Sequence, residues 1–230
     1  MKVRREVLRT AHARLRRRHP LRHVALLALL AGCVVSGGDP APGQRSEAAP
    51  GAPVVLFEGA SLAGWAQAGP GGFDLHAGML QSRGGMGLLW YSERTFRDFV
   101  LELDWRTTAQ TDNSGVFVRF PDPGDDPLVA VNGGYEIQIN DNPGGDPQKT
   151  GALYGVQSPS TRASHPTGQW NHYVIRAVGS DYTVSLNGVT VNRFTSRDPT
   201  RGRGGRIGVQ NHDAASTVQF RDIRVRPAGP

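Results

Sequence analysis

The sequence of 230 residues contains one cysteine, Cys33. A single cysteine leaves no pair for an internal disulfide, so the fold has to rest on an apolar core. Long apolar runs are also missing. The longest, residues 24–31, has eight residues, whereas a helix that spans a bilayer needs about 20. The sequence therefore excludes a disulfide-stapled scaffold and an ordinary helical membrane span.

Motifs for several common chemistries are absent as well. The sequence has no zinc-ligand spacing, no Ser-His-Asp arrangement and no phosphate-binding glycine loop. These absences exclude the usual zinc, serine-hydrolase and nucleotide-binding sites. We predict no definite cofactor. A divalent metal held by side chains from several strands stays open, because spacing in the sequence would not reveal it.

A basic segment, a short apolar run and small residues follow one another at the start of the chain. Residues 1–23 hold nine Lys or Arg and one acidic residue, and the apolar run at 24–31 leads to Gly32 and Cys33. This order predicts a secretory signal. Residues 30–33 (LAGC) resemble the lipobox of bacterial lipoproteins, in which the cysteine takes a lipid. An ordinary cleavable signal that ends by chance in cysteine is the alternative.

The chain divides into three predicted parts: a signal peptide at 1–32, a tether at 33–53 and a β domain at 54–228. Residues 34–53 are rich in Gly, Pro, Ala and Ser and bury too little apolar surface to order themselves. We therefore expect an exported protein, held on the extracytoplasmic face of the cell membrane by a lipid on Cys33. The sequence predicts no particular oligomeric state.

The charge of the chain is unevenly distributed. The whole sequence has a net charge of +6, which by itself suggests nucleic-acid binding. Residues 1–32 hold nine of the 26 basic residues and one of the 20 acidic residues, so the rest has a net charge of −2. The basic character belongs to the predicted signal, and we expect no nucleic-acid partner.

From residue 54 onward, short apolar or alternating runs are separated by Gly, Pro, Asn and Asp clusters. No sustained helical period is present. This pattern predicts an all-β sandwich or barrel. The candidate strands are residues 54–57, 73–75, 79–82, 88–90, 99–106, 116–120, 135–140, 172–178, 182–186, 189–194, 206–210 and 217–226.

Alternation within these strands indicates which side chains share a face. Apolar residues point one way, and the second face collects polar residues if the strands are neighbours. These are Arg119, Glu136, Gln138, Asn140 and Gln210. Such groups suit the directional hydrogen bonds of sugar hydroxyls. From patterning alone, a solvated outer face is the simpler interpretation.

A series of short motifs follows in a fixed order: FEGASLAGW at 57–65, FVLELDWR at 99–106, NSGVFVR at 113–119, GYEIQIND at 134–141, TGALY at 150–154, WN at 170–171, LNG at 186–188, GRIGVQNH at 205–212 and VQFRDI at 218–223. This series resembles the 3-keto-disaccharide hydrolase domain family. The resemblance spans residues 54–226. Its specificity lies in the shared order and not in any one motif.

The resemblance implies a concanavalin A-like jelly roll, in which two curved antiparallel sheets hold a ligand on the concave one. It also implies cleavage of glycosides whose glucose ring carries a ketone at C3. The ketone acidifies the C2–H, so a base removes that proton and the glycosidic oxygen at C1 leaves. Water then adds back. An oligosaccharide or glycoside is therefore the expected substrate.

Three residues are candidates for catalysis. Glu136 matches the family's Tyr-Glu-x-Gln stretch and is the leading acid or base, and it could also bind a metal. Arg119 could hold the keto oxygen or stabilise the enediolate. A structural salt bridge between these two is the alternative for both. His212 follows a predicted strand end and is the third candidate, although a loop histidine is more often only solvated.

Substrate contacts are predicted for Asn113, Gln138, Tyr154 and Gln210. The two glutamines are expected to bind hydroxyls. The Tyr154 ring could stack on a sugar or its hydroxyl could act as an acid, and packing within an exposed loop is the alternative. For Gly115 we favour turn formation over close backbone approach.

Two classes of function are consistent with these features. Trp65, Trp105 and Trp170 are predicted to lie in the core and not to form sugar platforms. The ionisable set beside the amides favours an enzyme, a hydrolase or lyase acting on 3-keto-glycosidic bonds. A non-catalytic carbohydrate-binding module on the same fold is the alternative, because a fold does not fix function.

Overall fold

The computed structural model describes residues 52–144, 147–201 and 203–229. The predicted signal, Cys33 and nearly all of the predicted tether lie outside these residues. Within them the chain forms thirteen strands and one short helix. They are β1 (Val54–Phe57), β2 (Trp65–Ala68), β3 (Gly72–His76), β4 (Met79–Arg83), β5 (Gly87–Tyr91), β6 (Phe99–Thr107), β7 (Asn113–Phe120), α1 (Leu128–Gly133), β8 (Tyr135–Asn140), β9 (Asn171–Val178), β10 (Asp181–Leu186), β11 (Val189–Thr195), β12 (Arg206–Asn211) and β13 (Val218–Pro227).

The strands form two antiparallel sheets. The larger has eight strands in the order β11-β10-β9-β6-β13-β4-β3, and β1 also pairs with β13. The smaller has five strands in the order β2-β5-β12-β7-β8. The prediction of an all-β sandwich of two antiparallel sheets is confirmed.

Alternation builds the core between the sheets. In β6, Leu101, Leu103 and Trp105 are buried while the residues between them are partly exposed. Val118 and Ile137 of the smaller sheet belong to the same apolar cluster. Strands of both sheets therefore contribute apolar faces to a shared core, as the period of two predicted.

The tryptophan predictions are only partly correct. Trp105 is 1% exposed in the core, and Trp65 packs against the core while its Nε1 donates to Leu56 O at 2.7 Å. Trp170 was wrongly placed in the core. The guanidinium carbons of Arg106 and Arg221 lie 4.6 and 4.0 Å from its ring centroid. Trp170 is thus stabilised by cation–π contacts outside the apolar cluster.

The face of the smaller sheet that is turned away from the core, called here the outer face, is not solvated. Its apolar half consists of Ala68, Leu88, Trp90, Phe117 and Phe120, on which Ala130 of α1 packs. The helix and its loop therefore cover this half. The polar half is also buried, with Gln138 2% exposed. The expectation of a solvated outer face is wrong.

Arg119 does not lie on the outer face, and that prediction is also wrong. In the pairing of β7 with β12, Arg206 lies opposite Phe120 and Ile207 opposite Val118, so Arg119 has no partner. Its φ of 54° is left-handed. An extra residue of this kind forms a β-bulge, which re-aims the side chain. The Arg119 side chain consequently points toward the larger sheet.

In the described part of the chain, no helix is long and apolar enough to cross a membrane.

Candidate functional site

Glu136 lies on the outer face in the middle of β8 and crosses over β7 at Gly115. A Cβ atom added to Gly115 would stand 2.3 Å from Glu136 Oε1 and 2.9 Å from its carboxyl carbon. Gly115 is therefore the residue that admits the Glu136 side chain. It lies within β7 and not in a turn, so turn formation was the wrong choice for it.

The Glu136 carboxyl lies between two glutamines. Gln138 of β8 stands opposite Gly115, and the register of β12 with β7 places Gln210 on the other side of Gly115. Neighbouring strands are about 4.8 Å apart, so the Cα atoms of the glutamines are separated by about 10 Å. Because Gly115 has no side chain, the carboxyl occupies the space between them.

Burial strongly disfavours the charged form of Glu136. The residue is 7% exposed, and no described group donates a hydrogen bond to its carboxyl. Burial raises the pKa of Glu136 from 4.5 to about 8. A buried carboxyl with a raised pKa is a candidate for proton transfer near neutral pH.

Three buried polar atoms of the outer face lack a hydrogen-bond partner in the described residues. They are Asn113 Oδ1, Gln210 Oε1 and Trp90 Nε1. An unpaired buried polar group costs about 1–3 kcal/mol, and such groups call for a water or a ligand. Asn113 Oδ1 and Gln210 Oε1 lie on the polar half of the outer face, where they can accept hydrogen bonds from hydroxyl groups, whereas Trp90 Nε1 lies in the apolar half on which α1 packs.

β8 is held from both sides. Tyr173 of β9 reaches through the core and its hydroxyl donates to Gln138 O at 2.7 Å. Along the free edge, Gly151 N donates to Gln138 O and Tyr154 N to Glu136 O, each at 2.9 Å. These contacts fix the backbone beneath the Glu136 and Gln138 side chains.

The backbone of Tyr154 lies next to that of Glu136. Leu153 forms a bridge with Ile137 and both are buried in the core. Tyr154 N donates to Glu136 O at 2.9 Å, and the residue lies in a partly buried turn beside the edge of β8.

His212 directly follows β12, at the end of the outer face where Asn113 pairs with Asn140. Its Nδ1 lies 2.7 Å from Asp213 Oδ2. Burial would raise the pKa of Asp213, but hydrogen bonds from His212 and two backbone amides outweigh it and lower that pKa. A carboxylate on Nδ1 fixes the ring orientation and leaves Nε2 for proton exchange.

Arg119 is not part of this group. Its guanidinium donates to Gly179 O at 2.6 Å and to Tyr182 Oη at 3.0 Å, and it pairs with Asp98 at 3.1 Å. Arg97 O accepts two further N–H groups. These contacts assign Arg119 to joining the two sheets, and the alternative interpretation, a salt bridge with Glu136, is not found among the described residues.

The described residues contain no group of three or more His, Cys, Asp or Glu side chains arranged to hold a metal. Glu136 is accompanied by amides, and one carboxylate is a small donor set for Mg²⁺ or Ca²⁺. This donor set does not fit a resident metal.

Sequence reasoning found most of the polar group and missed two kinds of residue. The register brings together Glu136, Gln138, Asn113 and Gln210, with Tyr154 and His212 at the borders. Asp213 was missed, although its position next to His212 was a usable signal. The covering helix α1 was missed because six residues are too few for a helical period.

Comparison with known proteins agrees with this architecture. A family model described as a 3-keto-alpha-glucoside-1,2-lyase-like domain matches residues 52–226. No curated protein matches the chain.

Two similar solved structures are candidate glycosyl hydrolases from Parabacteroides distasonis ATCC 8503. One is 26% identical with a TM-score of 0.65, covering 77% of this chain and all of the other. The second is 27% identical with a TM-score of 0.59, covering 76% and 84%. The carbohydrate-binding module CBM66 from Bacillus subtilis, 14% identical with a TM-score of 0.50 over 71% and 95% of the chains, shares the fold alone. The comparisons therefore show that the chain shares the jelly-roll fold of these solved structures.

Proposed function

Because the chain belongs to the 3-keto-alpha-glucoside-1,2-lyase-like domain family, we propose that it cleaves glycosides that carry a ketone at C3. The observation that supports this most directly is the buried Glu136 carboxyl with its pKa raised to about 8. A carboxylate with a high pKa is a stronger base than an ordinary one. It is therefore suited to removing a carbon-bound proton that a neighbouring ketone has acidified.

In the proposed reaction, Glu136 in its ionised form takes the proton from C2. The electron pair of the C2–H bond delocalises onto the C3 ketone oxygen as an enolate. It then returns to form a C1=C2 double bond while the C1–O bond breaks. The leaving oxygen takes a proton from an acid. Addition of water across the double bond completes net hydrolysis without the two-carboxylate route of ordinary glycosidases.

The other residues of the outer face have proposed roles that follow from their geometry. Gln138 and Gln210 flank the carboxyl and bind sugar hydroxyls, and Asn113 accepts a further hydroxyl through its unpaired Oδ1. His212, held through Nδ1 by Asp213, supplies the proton to the leaving oxygen. Tyr154 packs against the sugar at the sheet edge.

Turnover of a 3-keto-disaccharide by the purified protein tests the proposal, with released sugar measured by chromatography. We expect Glu136→Gln to lower kcat by about 10²–10⁴-fold, the usual contribution of a general acid or base. Because the base must be ionised, kcat/KM of the parent protein should rise with pH until about 8. Glu102→Gln is the matched control, since Glu102 lies partly exposed on the larger sheet.

The alternative is a non-catalytic carbohydrate-binding module. The unpaired acceptors of Asn113 and Gln210 would suit binding as well as catalysis. Glycan binding without turnover, in the presence and absence of added divalent metal ions, would favour this alternative. Near-normal turnover by Glu136→Gln would instead show that Glu136 is not the group that transfers the proton.

We also propose that the domain acts outside the cytoplasm, anchored to the membrane by a lipid on Cys33. The support is the order of basic, apolar and small residues before Cys33 and the Gly- and Pro-rich stretch after it. A tether of about twenty residues would let the domain reach soluble glycosides near the membrane.

A further inference from the structure

Two buried hydroxyl groups lie in the core beneath the polar half of the outer face. Ser114 of β7 and Tyr173 of β9 are each 0% exposed. A hydroxyl in an apolar core is destabilising unless it finds a hydrogen-bond partner. Both find one, and in each case the partner is the backbone carbonyl of a glutamine that flanks the Glu136 carboxyl.

Ser114 takes the place of a backbone hydrogen bond between two strands. The pairing of β7 with β12 ends at Val116 and Val209, although both strands continue for at least two more residues. Beyond that point Ser114 Oγ donates to Gln210 O at 2.6 Å. The serine side chain therefore joins the two strands where their backbones no longer pair.

Tyr173 holds the other glutamine from the opposite sheet. Its hydroxyl crosses the core and donates to Gln138 O at 2.7 Å. Gly151 N donates to the same carbonyl at 2.9 Å, so two donors hold it. Burial, together with the nearby charge of Asp141, raises the pKa of the Tyr173 hydroxyl well above its ordinary value. The hydroxyl consequently remains a donor at neutral and moderately alkaline pH.

A second Tyr–Ser pair has no link to the glutamines. The hydroxyls of Tyr135 and Ser196 share a hydrogen bond of 2.6 Å, and the two residues are 5% and 6% exposed. Tyr135 precedes Glu136 in β8, but its side chain belongs to the core cluster. This pair matches Ser114 and Tyr173 in residue type and burial, and so provides controls for them.

We propose that Ser114 and Tyr173 are positioning residues, whose hydroxyls keep the flanking glutamines at a fixed separation and so hold the Glu136 carboxyl in place. The glutamine Cα atoms are about 10 Å apart, two strand spacings, and the carboxyl lies between them. Each hydroxyl acts through a backbone carbonyl and not on the substrate. The expected effect on turnover rests on the proposed function, whereas the expected effect on the carboxyl does not.

Single-oxygen deletions in the full chain test the proposal. Ser114→Ala and Tyr173→Phe should each lower kcat for a 3-keto-disaccharide by about 10- to 100-fold, because a displacement of about 1 Å costs a reacting group this much. Ser196→Ala and Tyr135→Phe should lose comparable stability in urea, since each also removes one buried hydroxyl. These two controls should keep the kcat of the parent. Circular dichroism checks that all four variants fold.

Carbon-13 NMR of the Glu136 carboxyl tests the proposal without turnover. The full chain is labelled with carbon-13 glutamate, and Glu136→Gln identifies the signal. The side chains of the flanking Gln138 and Gln210 do not titrate, so a changed midpoint reports access of water to the carboxyl. The parent should titrate with a pKa of about 8. Ser114→Ala and Tyr173→Phe should lower this pKa toward 4.5, and the two controls should leave it unchanged.

The two measurements separate this proposal from the proposed function. If the parent turns over no 3-keto-disaccharide while the carboxyl pKa falls in Ser114→Ala and Tyr173→Phe only, the reaction is wrong and the positioning role stands. If the parent is active and these two variants match the controls in kcat and pKa, the positioning role is overturned. An equal loss of kcat in all four variants also overturns it. An effect of one hydroxyl alone overturns the joint role.

Discussion

The Glu136 carboxyl can occupy its position because the neighbouring residue, Gly115, has no Cβ atom. Gly115 leaves the space into which the carboxyl extends, and any larger residue there would collide with Oε1. The pattern of β8 predicted the face on which Glu136 lies, because alternation has a period of two. It did not predict the burial that raises the pKa to about 8, since burial depends on neighbouring strands.

That pKa makes the stability of the protein depend on pH. Below about pH 4.5 the carboxyl is protonated in both folded and unfolded states. Between 4.5 and about 8 it is protonated only when folded. The folded state then binds the additional proton, so the free energy of unfolding falls as pH rises through this window. The total effect is on the order of a few kcal/mol.

Urea unfolding at several pH values checks this prediction. Glu136→Gln carries no ionisable group at the site, so the parent protein should lose stability relative to this variant between pH 5 and 8. Above about pH 8 the difference should level off. A constant difference over the whole range would mean that the carboxyl titrates normally. Glu102→Gln again serves as the control.

At the scale of the secondary-structure element, most strands follow from the sequence, and the exceptions have physical causes. β8 begins and ends where alternation predicted. β2 was missed because its four residues include two alanines and no alternating pattern. The bulge in β7 was missed because one inserted residue breaks the period that the prediction assumes. For that reason the sequence placed Arg119 on the outer face, whereas the structure directs it toward the larger sheet.

The bulge leads to a prediction about Arg119. Its guanidinium satisfies carbonyls from three separate segments, at Arg97, Gly179 and Arg201. Arg119→Met would leave these groups with fewer donors in a buried place, where each unsatisfied group costs about 1–3 kcal/mol. We therefore expect a loss of about 3 kcal/mol in stability, or roughly 6–12 °C in Tm for a domain of this size.

Activity distinguishes this structural role from the catalytic one that the sequence suggested. The folded fraction of Arg119→Met should turn over a 3-keto-disaccharide with an unchanged pH profile, measured well below its Tm. A loss of kcat in fully folded protein, with KM unchanged, would show that Arg119 takes part in the reaction. Glu136→Gln, measured in parallel, gives the size of a catalytic loss.

At the scale of the whole molecule, charge and composition separate the chain into unlike parts. Residues 1–32 carry nine basic residues and one acidic residue, and the remainder has a net charge of −2. The sequence pI near 10.1 therefore describes the first segment more than the domain. A β domain of this charge is expected to associate with a membrane through a lipid and not through a basic surface.

Cys33 is the residue on which this expectation depends. The parent protein is expressed in bacterial cells that are grown with a radiolabelled fatty acid. It should incorporate the label and partition into the detergent phase, while Cys33→Ala should do neither. Because the domain begins some twenty residues later, the soluble variant should keep the turnover of the parent. Labelled Cys33→Ala would contradict the assignment, and unlabelled soluble parent protein would point to an ordinary cleaved signal. Since one acyl chain gives only marginal binding, stable membrane retention would also require the diacylglyceryl form of the modification.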